Sequence, residues 1–438
     1  MTVRKKDIKK ERLLYKNGRF EFRENGIFQK NAYSISEDGR TMKSNCFDKI
    51  WSPENKLDGY PDVSTGIPIV DAVYKLALDV CIKDISEDGS GFKAGSHYKV
   101  WVRDGSYSIM LGCGYLFPEI SRITMLSCIQ KKYNKIMLEQ YPAMSDCVIW
   151  IVAAYEYYKM TGDISLLAEN YQQMVNTLEF LKKTRFNKKY QMFIGGGTFM
   201  DHWGGYWSEK CYEQHVYCEL LSFSNNVIFF KAYRDIAEIA KLLRKPDAEI
   251  KGFEKASNAM RKSINRYFRV KKTGSYGEYY DLEHFGKFMG DSSFDSRKEA
   301  LGLAFAVLWN LPEKQADSSR ILDSMHITDI GVSTIWPWQE NDYEYHNKSV
   351  WGFIQGFWNW ALAEEGKPEK LMEGLACMVR MGAMDFDFRE MLIASTGFGM
   401  KAKNQLWNAA GYLSTIFRSI AGIRFEEDGM RFKPLIPA

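Results

Sequence analysis

The chain has 438 residues, and what it lacks narrows the field first. There is no CxxC pair and no zinc spacing. The eight cysteines stand apart at 46, 81, 113, 128, 147, 211, 218 and 377, several of them inside apolar helical patterns. They read as buried free thiols rather than disulfides or metal ligands. No apolar run is long enough to cross a membrane. The opening Met-Thr-Val-Arg-Lys-Lys leads into a charged stretch with no signal-peptide core. Localisation stays open, cytoplasmic or, with a leader removed, periplasmic or secreted. Charge of one sign is also scarce, with a net of only +4. The basic run from Arg4 to Arg12 alternates with acids and apolar residues and reads as a solvated face. Nucleic acid is therefore not an expected partner, and neither is a membrane. No repeat of fixed period is present, so nothing signals a helical solenoid.

What is present is core material and rings. Hydrophobic residues make up 45% and charged residues 26%, a globular composition. Aromatic residues reach 15%, with 12 Trp and 25 Tyr. Sugar-handling proteins use such rings to stack on sugar faces, and large cores use them too.

Residues 1–60 read as an extension with short strands around Asn17-Gly18 and Asp38-Gly39 turns. From about Gly66 the spacing of apolar residues becomes helical. It predicts helices over 67–84, 104–115, 118–138, 144–161, 163–184, 212–243, 246–268, 296–310, 313–324, 347–365, 368–384 and 403–420. Pro118 and Pro368 sit at first-turn positions, and Thr161-Gly162-Asp163 reads as a stop followed by a cap. Helices in successive pairs with long loops at alternate junctions suggest an all-α (α/α)6 toroid, a six-hairpin barrel. It would carry a short N-terminal extension and a small C-terminal hairpin over 422–437. The expected domains are 1–60 and 61–438.

Five long loops, 91–104, 139–146, 186–211, 326–347 and 385–402, hold the unusual chemistry. Gly195-Gly-Gly-Thr-Phe-Met-Asp201-His-Trp203 sets one carboxylate among glycines and rings; a packed structural turn explains it equally well. Trp101-Val-Arg103-Asp104 opens a helix, where Asp104 reads as an N-cap, a sugar ligand, or both. Ser145-Asp146 repeats the device with Trp150 one turn in. Trp336-Pro-Trp338-Gln-Glu340 leads on to Tyr345-His346-Asn347-Lys-Ser-Val-Trp351, a stretch too polar and aromatic for packing alone. Phe388-Arg-Glu390, followed by Thr396-Gly397, carries a second loop carboxylate, which alone could be an ion-pair partner of Arg389 or Lys401. Two such carboxylates fit glycoside hydrolysis, one protonating the leaving oxygen and the other activating water or attacking directly.

Taken in order, Trp101-Val-Arg-Asp104, Asp146-Cys-Val-Ile-Trp150, Thr198-Phe-Met-Asp201, Tyr345-His-Asn-Lys-Ser-Val-Trp351 and Phe388-Arg-Glu390 resemble the six-hairpin glycosidases. The likeness is to the amylo-α-1,6-glucosidase (glycogen-debranching) catalytic domain and its inverting α-glucosidase relatives, over about residues 66–424. It implies an (α/α)6 barrel and an exo-acting, inverting hydrolase of α-linked, glucosidic bonds. It makes Asp201 the general acid and Glu390 the general base, with Glu340 the alternative base. Trp101, Arg103, Asp104, Asp146, Trp203, Trp336, Trp338, His346, Asn347 and Trp351 would hold the sugar, with no metal or cofactor. Phe199 stands where the debranching domain usually has Trp, and Met-Leu-Ile-Ala follows Glu390 in place of a Tyr- or Asn-bearing stretch. Both departures bear on the substrate. The alternatives are a disaccharide phosphorylase or sugar epimerase on the same toroid, or a non-catalytic carbohydrate-binding protein.

Overall fold

The structure is a computed structural model of the chain. It describes residues 11–16, 19–24, 27–28, 33–45, 48–132, 135–138, 145–195, 220–282, 294–338 and 345–436. The described residues form twelve principal helices. These are α1 (Pro68–Lys83), α2 (Val102–Ser108), α3 (Pro118–Ser127), α4 (Asp146–Thr161), α5 (Ile164–Arg185), α6 (Phe223–Leu242), α7 (Asp247–Tyr267), α8 (Ala300–Leu308), α9 (Ala316–Asp323), α10 (Gly352–Glu364), α11 (Pro368–Asp385) and α12 (Leu406–Ser414). Two of them run on into a wider π-helical turn, α2 through Ile109–Cys113 and α12 through Thr415–Ile420.

The even-numbered helices close a ring. α2 packs on α4, α4 on α6, α6 on α8, α8 on α10, α10 on α12, and α12 back on α2. The odd-numbered helices lie outside, each against at least one of its neighbours in the ring. This is an (α/α)6 toroid, and the residue pattern explains which helix goes where. In α8, Ala300–Val307 are all buried, and a helix apolar all round belongs in the interior. In α7, by contrast, only Ser257, Met260, Ile264 and Asn265 are buried, one stripe facing inward. Two inner helices touch backbone to backbone. A Cβ on Gly356 of α10 would lie 2.6 Å from the Gly411 Cα of α12, a contact no side chain fits.

Because every inner helix is reached from an outer one, the six inner helices point the same way. Their N-termini, at Trp101, Ser145, Ser222, Glu299, Trp351 and Gln405, gather at one end of the barrel. The short sheets of that end join the loops. Ser349–Val350 pairs with Met391–Ile393, which pairs with Gly399–Met400. Lys298–Glu299 pairs with Ile335–Trp336. At the chain ends, Glu11–Lys16 pairs with Arg19–Glu24, and Ile423–Glu426 with Gly429–Phe432, as the Asn-Gly and Asp-Gly turns predict.

Two helix expectations need correction. The helix expected over 118–138 stops at Ser127, and Ile129–Lys132 then pairs with Lys135–Leu138 as a hairpin. Its last strand is fastened outward, where the Leu138 N–H donates to Thr177 Oγ1 at 3.1 Å. The helix expected from 212 begins at Phe223. Ser222 caps it by accepting from the Asn225 N–H, and Leu220–Ser222 is held in a strand against Tyr279–Asp281. Residues 196–219 lie outside the described ones. Cys81, Cys113, Cys128, Cys147 and Cys377 are buried; Cys46, Cys211 and Cys218 lie outside the described residues. No described helix is long and apolar enough to cross a membrane.

Candidate active site at the N-terminal mouth of the barrel

Peptide dipoles place partial positive charge at a helix N-terminus. Six such ends share the mouth, and acids occupy several of them. Asp104 and Asp146 stand in the first turns of α2 and α4. Glu299 caps α8 by accepting from the Leu301 and Gly302 N–H groups at 3.2 and 3.1 Å. Arg103, from the first turn of α2, places a guanidinium nitrogen 3.6 Å from Asp146 Oδ1, with the two side chains only 5% and 2% exposed. An ion pair this buried fixes both groups, since breaking it would leave a charge stranded.

Glu390 sits on the loop after α11 and is 3% exposed. Three donors hold its carboxylate. The Tyr98 hydroxyl reaches Oε2 at 2.9 Å, the Ala402 N–H reaches the same oxygen at 3.1 Å, and the Tyr345 hydroxyl donates to Oε1. The loop itself is tied at both sides. The Glu390 N–H donates to the Ala402 carbonyl, and Asn408 of α12 donates its amide to the Glu390 and Arg389 carbonyls. Lys401, in the left-handed region at φ 65°, holds its ammonium 5.5 Å over the Tyr345 ring. Donors on both oxygens hold the carboxylate in one orientation.

Beneath these groups the barrel is filled by rings. Phe353 stacks on Trp407 at 4.0 Å, and Tyr107 stacks on Phe353 at 5.6 Å. Trp351 meets Trp407 edge-on at 5.7 Å. The Tyr107 hydroxyl is held well above its usual pKa, by burial first and then by Asp146. Burial also raises the Glu278 carboxyl well above the usual range, with Glu299 adding to it.

The sequence-predicted residues divide three ways. Trp101 (the N-cap of α2), Arg103, Asp104, Asp146, His346, Asn347, Trp351 and Glu390 all lie at the mouth, on four of the inner-helix starts and their loops. His346 stacks on Trp351 at 5.7 Å, and Asn347 is fully buried. Trp336, paired with Lys298 at the same end of the barrel, and Trp338 form an aromatic group with His326, in which Trp336 stacks on His326 at 4.0 Å. Asp201, Trp203 and Glu340 lie outside the described residues. The sequence reading missed Tyr98. A lone tyrosine in a short glycine-bearing loop carries no signal until the chain folds back and Ser96 N–H meets the Lys403 carbonyl at 3.1 Å. Tyr345 stood in a motif already singled out, but its partner did not show. Among the described residues no cluster of three or more His, Cys, Asp or Glu could hold a metal ion.

A family model for the bacterial α-L-rhamnosidase six-hairpin glycosidase domain matches residues 136–325. Over those residues the chain is similar to six-hairpin glycosidases. Solved structures agree on the fold. A rhamnosidase of family GH78 from a Bacillus species superposes with a TM-score of 0.63 at 16% identity, covering 86% of this chain and 37% of that one. The GH63 mannosylglycerate hydrolase of Thermus thermophilus, solved in complex with glucose, gives 0.61 at 13% identity, covering 78% of this chain and 99% of that one. A chain described as a sialidase gives 0.64 at 11% identity, covering 84% of this chain and 35% of that one. The chain thus spans little more than a third of the rhamnosidase and nearly all of the mannosylglycerate hydrolase. A search of curated protein sequences returned no match.

Proposed function

We propose that the chain is an exo-acting glycoside hydrolase that cleaves an α-linked glycosidic bond with inversion. The observation that carries this is Glu390, a buried loop carboxylate oriented by Tyr98, Tyr345 and the Ala402 N–H at the mouth of a six-hairpin barrel. Its place in the reaction is that of the general base, drawing a proton from a water that attacks the anomeric carbon. Asp201 is the general acid, protonating the leaving oxygen from the opposite face. The two carboxyls then stand about 6.5–9.5 Å apart, the spacing that leaves room for the water. The Arg103–Asp146 pair and Asp104 supply charged hydrogen-bonding groups for the terminal sugar. The aromatic floor of Tyr107, Phe353 and Trp407 supports exo action, because a funnel closed below admits one chain end and no through-running strand.

The sugar is α-glucosidic on the motif resemblance, and the family match adds α-L-rhamnosidic as the competing choice. A hydrolysis screen with aryl α-glucosides, α-mannosides, α-galactosides and α-L-rhamnosides, together with α-linked disaccharides, decides between them. Following the first-formed anomer by NMR distinguishes inversion from retention. Inactivity across the whole panel would overturn the proposal, and a retained anomer would overturn its mechanism.

A further inference from the structure

Beside the Glu390 loop lies a cavity of about 450 Å³, whose lining does not include Glu390 itself. The loop that bears Glu390 forms part of its wall. Phe386, Asp387 and Arg389 come from one side, Lys403 and Asn404 from the other, and the Lys49–Asp385 ion pair at 2.8 Å closes an edge. Asp387 is only 8% exposed. One of its oxygens accepts from the Asn404 N–H at 2.8 Å, while the other has no hydrogen bond. The Arg389 Nε is also buried without one, and its guanidinium is no closer to Asp387 than 4.0 Å.

An acceptor and a donor without hydrogen bonds on the same wall, set in a loose ion pair at 4.0 Å, suit an occupant that both donates and accepts. A phosphate or sulfate offers acceptors to Arg389 and Lys403 but meets repulsion from Asp387 and Asp385. A metal ion suits Asp387 but faces Arg389, Lys403, Lys49 and Lys83. A sugar hydroxyl both donates and accepts. Neighbouring hydroxyls of one ring can give to Asp387 and receive from Arg389 and Lys403. Phe386, held at the cavity with φ 52°, adds an apolar surface. The volume falls in the range of small-molecule sites.

We infer that this cavity is a second saccharide-binding site, distinct from the funnel, that takes a neutral mono- or disaccharide unit. The choice of saccharide over another neutral polyhydroxylated ligand rests on the glycosidase reading. The test is isothermal titration of the full chain with glucose, mannose, rhamnose and the α-linked disaccharides of glucose and mannose. It is run in parallel on wild type, Glu390→Gln, Arg389→Ala and Lys403→Ala, with inorganic phosphate as the competing probe. The inference expects an isotherm that survives Glu390→Gln and weakens by about 10-fold or more in Arg389→Ala and Lys403→Ala, the loss of one charged hydrogen bond. Hydrolysis by Lys403→Ala stays within about twofold of wild type, because that change lies outside the funnel. Binding that is unchanged in both cavity variants overturns the inference, and so does phosphate binding there in place of sugar. Intact cavity binding with no hydrolysis of any glycoside overturns the proposed function alone. Intact hydrolysis with no cavity binding overturns this inference alone.

Discussion

The Tyr98 hydroxyl lies 2.9 Å from Oε2 of Glu390, a contact across 292 positions of sequence. Tyr345 reaches the other oxygen of the same carboxylate. Each hydroxyl stops rotation about the carboxyl axis, so the lone pair that would receive a proton keeps one direction. Replacing either tyrosine by Phe removes that restraint and leaves the ring in place. Hydrogen bonds to a charged group contribute about 1.5–3 kcal/mol. Tyr98→Phe and Tyr345→Phe are each expected to lower kcat by about 10- to 100-fold with KM little changed, and the melting temperature should hold. Steady-state kinetics on the best substrate from the screen reads this out. A fall in affinity with unchanged kcat would show that the tyrosines hold sugar and leave the base alone.

Glu390→Gln keeps the shape of the side chain and its contact with the Ala402 N–H but cannot take a proton. General acid or base catalysis contributes about 10²–10⁴-fold. Turnover is expected to fall by that factor in Glu390→Gln, and by a like factor in Asp201→Asn, while product sugar still binds in the funnel. Titration calorimetry beside the kinetic assay separates the two effects. If either variant kept activity within tenfold of wild type, its residue would not be the acid or base; for Glu390→Gln, Glu340 would become the next candidate for the base.

Much of the mouth was readable before any coordinates because its residues sit at helix starts. An acid just ahead of an apolar helical run, as at Asp104 and Asp146, shows both in the sequence and in the first turns of α2 and α4. The toroid was suggested by helices in successive pairs with long loops at alternate junctions, and the motif resemblance pointed the same way. The partners of Glu390 were not, because hydrogen bonds across hundreds of positions depend on how loops fold back. The hairpin Ile129–Lys132 with Lys135–Leu138 was hidden too. Its Ile129, Tyr133, Ile136 and Met137 recur at three- and four-residue steps, and the strand form wins through the tie from Leu138 to Thr177.

Gly356 and Gly411 make a mechanical prediction. A Cβ on Gly411 would come to 2.5 Å from the Gly352 carbonyl oxygen, and one on Gly356 to 2.6 Å from the Gly411 Cα. Backbone atoms cannot swing aside as a side chain does. Gly356→Ala and Gly411→Ala are therefore each expected to cost about 1–3 kcal/mol or more, the range for overpacking, although alanine is the better helix former. Denaturant melts measure this. A variant that gained stability would mean that α10 and α12 are not in backbone contact.

Near the far end of the inner helices lies a group of buried charges. Glu156 of α4 pairs with Lys159 and lies 3.6 Å from Arg418. Lys231 of α6 pairs with Asp235 at 2.5 Å. Burial would raise the Glu156 carboxyl, but Lys159, Arg418 and Lys231 outweigh it and hold the pKa at about 2, below the usual 4.5. A folded-state pKa below the unfolded one gives stability that is complete above the unfolded value. That stability is lost as pH falls from about 4.5 toward 2. The shift is worth about 3 kcal/mol at neutral pH. Glu156→Gln keeps the volume and strands the cations, so at pH 7 it is expected to cost about 3–5 kcal/mol. The deficit should shrink steadily as the pH is lowered from 5 toward 2, because the wild-type carboxyl becomes neutral as well. Urea melts of both proteins across that interval provide the check. A deficit that stayed constant with pH would place the effect in packing rather than in charge.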